Sequence, residues 1–210
     1  QDNRHYARAA KLAMVEPSDS QECLDFMREA YRISEQFDIP VLFRPTTRVA
    51  HSKSIVTFGE REEQEAKPYA RNTRKNIASP ANAFLNHPKL EKTLEALEAY
   101  GCTSPLNRME LNGTKVGVIA YEYAKDAFPA NTSFLKLGLT NPLPMDLIRS
   151  FAEKVEKLYI IEELDDFMES QIRAAGIACE GKSLTGKLYE LNPQLLKERI
   201  FGRKAETVNV

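Results

Sequence analysis

A strand–helix–strand pattern over residues 12–48 constrains the fold more than any other feature of this sequence. The apolar run 12–15 predicts a buried strand, and Ser18 with Gln21 fits a capping box that begins a helix. Apolar residues then recur at three- and four-residue steps, which is typical of one helix face: Cys23, Phe26, Met27, Ala30, Ile33 and Phe37. A second apolar run follows at 41–43. Together these elements predict a βαβ unit with parallel strands.

The second strand runs directly into a polar loop, Arg44-Pro45-Thr46-Thr47-Arg48. In open α/β sheets the carboxyl ends of the strands face the ligand crevice, so we expect functional side chains at this loop. Two strands and one helix cannot bury both faces of a parallel sheet. The unpaired edge of residues 1–52 therefore predicts self-association or local disorder. The chain also begins at Gln1 without an initiator Met, and we expect an interior segment of a longer protein.

A charged connector over residues 53–112 follows this unit. Residues 60–65 form a dense charge run. Positive charge returns further along, at Arg71, Arg74 and Lys75. Such a run is typical of a solvated, extended segment, and the alternative interpretation is a docking segment for a partner chain. Pro88 predicts the start of a helix that ends at Gly101.

A second alternation of strands and helices occupies residues 113–182. The predicted strands are 115–120, 134–137, 158–161 and 177–179. The predicted helices are 121–128, the segment after Pro142 and Pro144, and the segment that Asp165 caps. This alternation implies right-handed crossovers and a small parallel sheet, so the predicted class is α/β. The remaining residues, 183–210, form a tail in which Asn192-Pro193 begins one helix.

The composition argues against several functions. The chain has 29 Lys+Arg and 30 Asp+Glu, and this net charge of −1 argues against a nucleic-acid or polybasic membrane surface. No apolar run is long enough for a transmembrane helix. Cys23, Cys102 and Cys179 are too far apart for a metal or cluster motif, which predicts buried thiols in a reducing cytoplasm. The acidic residues within 162–166 follow a strand and begin a helix, where they complement the helix dipole rather than bind a metal.

A series of short motifs runs in a fixed order over residues 1–190. They are Gln1-Asp2-Asn3-Arg4-His5-Tyr6, Glu16-Pro17-Ser18-Asp19-Ser20-Gln21-Glu22, Arg44-Pro45-Thr46-Thr47-Arg48-Val49-Ala50-His51-Ser52, Asn86-His87-Pro88-Lys89-Leu90, Leu135-Lys136-Leu137-Gly138-Leu139-Thr140 with Pro142-Leu143-Pro144, and Glu156-Lys157-Leu158-Tyr159-Ile160-Ile161-Glu162-Glu163-Leu164. In this order they resemble the large (alpha) subunit family of indolepyruvate:ferredoxin oxidoreductases, which are thiamine-diphosphate-dependent 2-oxoacid:ferredoxin oxidoreductases.

The resemblance implies that residues 1–52 are the C-terminal part of a pyrimidine-binding domain and that 113–182 are a transketolase C-terminal-like domain. It further implies that the whole enzyme uses thiamine diphosphate, Mg²⁺ and [4Fe–4S] clusters. Such an enzyme decarboxylates an aryl pyruvate, transfers the acyl group to coenzyme A and reduces ferredoxin, with a beta subunit as partner. The GDG motif that holds Mg²⁺ and the CxxCxxC runs are missing from this sequence. We therefore expect this chain alone to bind none of these cofactors and to be inactive, without catalytic residues of its own.

Three residues are candidates for a substrate or interface loop: Arg4, Arg48 and His51. Arg48 and His51 form an R-x-x-H arrangement that resembles a shared feature of 2-oxoacid:ferredoxin oxidoreductases. The planar fork of an arginine suits a carboxylate or a phosphate, so this loop is interpreted as the mouth of an active site or as a subunit contact. The alternative is an ordinary surface loop. Arg4 belongs to the first motif, for which we expect a structural ion pair or an interface role, or else an exposed terminus.

Three functions are consistent with these observations. The missing Met and the half-built first sheet favour an internal fragment of a cytoplasmic oxidoreductase with a structural or subunit-contact role. The second hypothesis is a free-standing transketolase C-terminal-like interaction or regulatory module, which binds a partner or a small ligand. The third, a small-molecule-binding Rossmann-like protein, has little motif support. GDG and CxxCxxC motifs downstream of Val210 in the reading frame would favour the first.

Overall fold

The computed structural model describes residues 2–61, 63, 66, 68–120 and 122–202. The helices are α1 (Arg4–Ala9), α2 (Ser20–Phe37), α3 (Thr47–His51), α4 (Thr73–Asn76), α5 (Pro80–Gly101), α6 (Met145–Ala152), α7 (Phe167–Ala174), α8 (Lys182–Thr185) and α9 (Pro193–Phe201), with a 3₁₀ helix over Glu122–Ala127. The strands are β1 (Ala13–Val15), β2 (Val41–Phe43), β3 (Arg108–Glu110), β4 (Val116–Ala120), β5 (Ser133–Lys136), β6 (Leu139–Asn141) and β7 (Lys157–Ile161). None of the helices within these ranges has the length and apolar character that crossing a membrane requires.

The first sheet has the strand order β2-β1-β6 within the described residues. β1 and β2 run parallel with Met14 opposite Leu42, and α2 joins them, so the predicted βαβ unit is confirmed. β6 pairs antiparallel with the other edge of β1. The sequence pattern predicts two strands here, whereas the third strand comes from residues 139–141, far along the chain. β6 thus pairs with an edge of the unit formed by residues 1–52, for which the sequence pattern predicts an unpaired edge.

The chain crosses from one sheet to the other at Gly138. A Cβ atom at this position would lie 2.4 Å from the carbonyl oxygen of Leu106 and 2.6 Å from the ring of Phe26. The carbonyl of Gly138 accepts a hydrogen bond from the backbone N–H of Glu16 at 2.8 Å. Glycine is therefore required by close backbone approach, and the crossing links β5 directly to β6.

The second sheet has the order β3-β5-β4-β7. β4 is parallel to β5 and to β7, and β3 pairs antiparallel with β5 at the edge. The predicted strand at 177–179 is wrong, because pairing there is confined to one bridge between Tyr159 and Glu180. The edge strand β3 was not predicted, since Arg108-Met109-Glu110 lacks an apolar run. The α/β class is confirmed.

Three helix starts differ from the sequence prediction. The cap position of α7 is Asp166, whose side chain makes no capping hydrogen bond, rather than Asp165. The cap of α2 is Asp19, whose carboxylate accepts from the backbone N–H of Glu22, rather than Ser18. α5 begins at Pro80 after the cap residue Ser79, and Pro88 lies inside the helix instead of opening it. A serine cap followed by proline at the first helical position is the stronger start signal, because proline lacks the N–H that would be unpaired there.

The apolar core lies on both faces of the second sheet and extends into the first. One cluster contains Ile119, Leu135, Phe151 and Ile160, and includes Met14 from β1. Residues of the 3₁₀ helix and α9 cover the opposite face of the second sheet. Another cluster places α2 and α5 against the first sheet. Because Met14 belongs to the main cluster, the two sheets are packed together.

Candidate functional site

The carboxyl ends of β1, β2 and β7 bring their polar loops to the same region of the molecule. Arg44 follows β2, Glu16 follows β1, and the acidic residues 162–166 follow β7. The N-terminal residues 2–4, which lead into α1, lie between these loops, since Asn3 contacts Arg44 and Arg4 contacts Glu162. We call these residues the carboxyl-edge cluster. Parallel sheets place functional side chains at this edge.

Arg4 lies at the centre of the carboxyl-edge cluster and is only 1% exposed. Its Nη1 donates to Oε2 of Glu162 at 2.7 Å, and its Nε donates to the carboxylate of Asp2 at 2.9 Å. Its Nη2 donates to the carbonyl oxygens of Glu163 at 2.8 Å and Asp165 at 3.1 Å. The guanidinium also stacks over the ring of Phe167 at 5.2 Å. The structure therefore shows Arg4 in a buried ion-pair network rather than as an exposed terminus.

Glu162 carries the opposite charge of this network and is fully buried. Its carboxylate accepts from the backbone N–H groups of Met168 at 2.9 Å and Glu169 at 3.0 Å, in the first turn of α7. It thus stabilises the helix N-terminus, as the sequence pattern predicts. Burial raises the pKa of Glu162, and the charge of Arg4 opposes this shift.

The pKa of Asp2 shifts in the opposite direction to that of Glu162. Burial raises its pKa, but the hydrogen bonds and charge of Arg4 outweigh burial and bring the pKa down to about 2. In this network Arg4 therefore favours the ionised form of Asp2, whereas burial has the larger effect on the pKa of Glu162.

Arg48 meets Arg4 around a shared residue, Glu163. Arg48 Nη2 donates to Oε1 of Glu163 at 3.2 Å, to Glu190 at 3.3 Å and to the carbonyl oxygen of Leu191 at 2.9 Å. The same carboxylate of Glu163 accepts from the backbone N–H of Leu191 at 2.9 Å. These contacts fasten α3 to the segment before α9. The third candidate, His51, is exposed on the last turn of α3.

A second buried ion pair, between Glu16 and Arg44, was missed by sequence reasoning. Glu16 is 1% exposed, pairs with Arg44 and accepts from the Thr140 hydroxyl at 2.6 Å. Arg44 also donates to the side chain of Asn3. The sequence does place Glu16 and Arg44 directly after apolar strands, and parallel neighbouring strands bring such residues to the same edge of a sheet. Thr140 carried no signal, since its strand was not predicted to join this sheet.

The residues that the structure describes do not fit the metal or cluster sites that the family resemblance implies. Within the described ranges, the group of potential metal ligands is Asp2, His5 and Asp165. The Arg4 guanidinium already binds Asp2, and a cation there would face that positive charge. A [4Fe–4S] cluster needs four thiolates. The free cysteines lie apart in the fold, in α2, just after α5 and beside the bridge at Glu180.

Comparison with known proteins gives a consistent set of relatives. No protein-family model matches the chain. Indolepyruvate oxidoreductase subunit IorA of Methanothermobacter thermautotrophicus is 36% identical over 96% of this chain, and that of Archaeoglobus fulgidus is 36% identical over 91%. The matches cover 36% and 33% of those proteins, so the chain spans about a third of their length. The resemblance indicated by the sequence motifs is confirmed.

A solved structure shows the same fold. The 2-oxoglutarate:ferredoxin oxidoreductase from Magnetococcus marinus, solved with 2-oxoglutarate, coenzyme A and succinyl-CoA bound, superimposes with a TM-score of 0.63. The match covers 90% of this chain and 42% of that one, at 14% identity. At this identity the match supports the arrangement of the sheets and helices alone.

Proposed function

We propose that this chain is a segment of the large subunit of an indolepyruvate:ferredoxin oxidoreductase. One observation carries the proposal: similarity to IorA subunits extends over 96% of the chain at 36% identity. The fold of a 2-oxoacid:ferredoxin oxidoreductase, matched over 90% of the chain, agrees with it. The whole subunit would oxidatively decarboxylate an aryl pyruvate to an acyl-CoA, in the cytoplasm, with ferredoxin as electron acceptor.

Within that enzyme the proposed role of this segment is structural. Three arginines at this edge, two of the carboxyl-edge cluster and Arg48 of α3, each contact a carboxylate of the chain itself: Arg4 with Asp2 and Glu162, Arg44 with Glu16, Arg48 with Glu163. These pairs hold the N-terminal segment and the ends of both sheets in one arrangement. The segment would thereby position a pyrimidine-binding unit, residues 1–52, against a transketolase C-terminal-like unit, residues 113–182.

Cofactors and partners would come from outside this segment. Thiamine diphosphate would supply the carbanion chemistry of decarboxylation, and Mg²⁺ and [4Fe–4S] clusters would bind to other parts of the enzyme. A beta subunit, ferredoxin, coenzyme A and the aryl pyruvate are the proposed partners and substrates. Arg48 and His51, near the sheet edge, are proposed to lie at a subunit contact or at the mouth of the active site.

The test is an activity assay on the complete reading frame. The subunit that contains this chain, purified together with its companion subunit, is expected to reduce ferredoxin when indolepyruvate, coenzyme A and thiamine diphosphate are supplied. A reading frame that contains only Gln1 to Val210, or a complete subunit without 2-oxoacid-dependent ferredoxin reduction, would refute the proposal.

Calorimetry of the 210-residue chain with thiamine diphosphate and Mg²⁺ tests the division of roles. No binding is expected, because the sequence lacks the GDG motif that holds the magnesium ion. Binding in the micromolar range would place a cofactor site on this chain and contradict the structural role.

A further inference from the structure

The first half of α5 carries an apolar stripe that faces solvent. Ala81, Phe84, Leu85 and Pro88 occupy the i, i+3, i+4 and i+7 positions of one helix face, and all four are exposed. Phe84 is 80% exposed and Leu85 54%. Single exposed apolar residues are ordinary, whereas a continuous stripe along one helix face marks an interaction surface.

This stripe is not the face of α5 that packs into the core. The core contacts come from the second half of the helix, through Leu90, Leu94 and Leu97. Leu90 follows Ala81 by nine residues, which places it about 180° around the helix axis at 3.6 residues per turn. The apolar stripe therefore points away from the cluster that α5 forms with α2 and the first sheet.

Positive charge surrounds the stripe. We call residues 73–92, which comprise α4, the following loop and the first half of α5, the α5 tip. The tip contains four basic residues and one acidic residue, a net charge of +3, whereas the whole chain has a net charge of −1. Arg74, Lys89 and Lys92 are exposed. Lys89 lies one helical turn after Leu85, so its ammonium group adjoins the stripe.

The acidic residue of the tip, Glu91, is already engaged on another side of the helix. Its carboxylate contacts the ammonium group of Lys11, near β1, and the ring of His87. Lys11 therefore takes up the negative charge of the tip, and the excess positive charge remains beside the stripe.

Hydrogen bonds within the tip hold its charges and its stripe in a fixed arrangement. The side-chain amide of Asn82 donates to the carbonyl oxygens of Thr73 at 3.2 Å and Ile77 at 2.9 Å. The side-chain amide of Asn86 donates to the carbonyl oxygen of Arg74 at 3.0 Å. These bonds fasten α4 to α5. A surface that is ordered before it meets its partner loses less conformational entropy on binding.

We propose that the α5 tip binds an apolar groove with an acidic rim, in the part of the large subunit that lies outside this chain. Apolar anchors at i, i+3, i+4 and i+7 are typical of a helix that lies in a groove. Acidic groups at the rim complement Arg74, Lys89 and Lys92. The proposal rests on the proposed function, which takes this chain as a segment of that subunit. The chain spans about a third of the length of its IorA relatives, so most of such a subunit is available to supply the groove.

The charge and shape of the tip disfavour a second copy of this chain as the occupant. A twofold-symmetric contact brings the same patch of both copies together. The basic residues of one tip would then face those of the other, and like charges that face each other across an interface are costly. The stripes of two helices are also both convex, whereas the anchors of a helix fill a concave acceptor.

Hydroxyl-radical footprinting of the complete subunit tests the proposal. The oxidation rate of Phe84 is expected to be at least about fivefold lower than in a free peptide of residues 80–92, because the groove excludes water from its ring. K89E/K92E is expected to raise the rate at least about threefold above that of the wild type, because acidic groups then meet at the rim. K115E/K154E makes the same change of charge at exposed positions of the second unit and is expected to leave the rate unchanged.

A carbodiimide, which joins an ammonium group to a carboxylate that it contacts, provides the second measurement. Lys89 or Lys92 is expected to be cross-linked to an aspartate or glutamate of the same subunit outside Gln1–Val210. Phe84 that oxidises in the complete subunit as fast as in the peptide would overturn the proposal, as would a cross-link to a second copy alone. Protection that appears only after vesicles of phosphatidylglycerol are added would overturn it in favour of a membrane surface.

The footprint can be read independently of the activity assay. A subunit that reduces ferredoxin but leaves Phe84 unprotected contradicts the docking of the α5 tip alone. An inactive subunit in which Phe84 is protected contradicts the proposed activity and supports the docking of the tip.

Discussion

The guanidinium of Arg4 satisfies its donors entirely within the fold. Two carboxylates and two carbonyl oxygens surround it, and all of these partners belong to the N-terminal segment or to residues 162–165. The charge is fully removed from water, so its stability depends on keeping every partner in place. A lysine could not reproduce this arrangement, because it lacks the planar fork that reaches several acceptors at once.

Replacement of Arg4 by methionine is expected to lower the free energy of unfolding by about 3–5 kcal/mol, because Asp2 and Glu162 are left buried without their partner. Urea denaturation followed by circular dichroism measures the change. Arg8→Met, at an exposed position of the same helix, serves as the control and is expected to shift stability by less than about 0.5 kcal/mol. Equal effects of the two substitutions would contradict the role assigned to Arg4.

Acid stability is expected to depend on Asp2. Its folded pKa of about 2 lies below the unfolded value, so its contribution to stability is complete above about pH 5 and is lost as the pH falls toward 2. The raised pKa of Glu162 acts in the opposite direction, which makes comparison with a variant necessary. The difference in unfolding free energy between wild type and Asp2→Asn is therefore expected to shrink as the pH falls through this window.

Asp126→Asn, in the exposed part of the 3₁₀ helix, is the matched control for this pH series. Its difference from wild type is expected to stay nearly constant over the same range. A constant difference for Asp2→Asn as well would show that Arg4 does not lower the pKa of Asp2.

At the scale of elements, α5 has a well-capped N-terminus and a proline inside the helix. Ser79 accepts from the backbone N–H of Asn82, and Pro80 occupies the first helical position. Pro88 then removes one hydrogen bond of the helix, and its ring crowds the carbonyl one turn earlier. The helix continues through this position because its C-terminal half packs into the core through Leu97 and Leu94.

Pro88→Ala is expected to stabilise the chain by about 1–3 kcal/mol, because the missing hydrogen bond is restored and the steric conflict removed. The measurement is the urea midpoint together with hydrogen exchange of the α5 amides. Lys89→Ala, at the next exposed position, changes helix propensity little and is the control. A loss of stability in Pro88→Ala would show that the proline serves a packing role there.

At the scale of the whole molecule, the two sheets form one folding unit. β6 pairs with β1 in the first sheet, while β5, immediately before it, is central to the second. The hydrogen bond between Glu16 and Thr140 joins residues 124 positions apart. The first sheet therefore cannot form fully without β6, which comes from the part of the chain that builds the second sheet.

A chain that ends after residue 112 is expected to lose cooperative unfolding. In such a chain β1 would lack its neighbour β6, and Met14 would lack the apolar residues of the second sheet against which it packs. Amide dispersion in NMR spectra and a urea titration measure this. A chain that ends after residue 202 keeps every described element and should behave like the full chain. A well-dispersed spectrum for the shorter chain would show that the first unit folds alone.

Local patterns predicted the elements well and their assembly less well. The sequence predicts β1, β2, β4 and β7, because each is an apolar run of a few neighbouring residues. The motif that contains Arg4 is likewise recognised from neighbouring residues. The pairing of β6 with β1, and the contacts of Thr140 and Arg48 that depend on long-range packing, had no local signal. The start of α5 differs from the prediction because both Pro80 and Pro88 can open a helix, and only the Ser79-Pro80 pair combines a capping side chain with proline at the first helical position.

The crossing at Gly138 has a consequence for how such a gene can be rearranged. Because residues 139–141 complete the first sheet, the two halves cannot be exchanged as independent modules between proteins. Fission of the gene within the connector would instead produce two polypeptides that must meet in order to fold. Such rearrangements are thus constrained by a strand of only three residues.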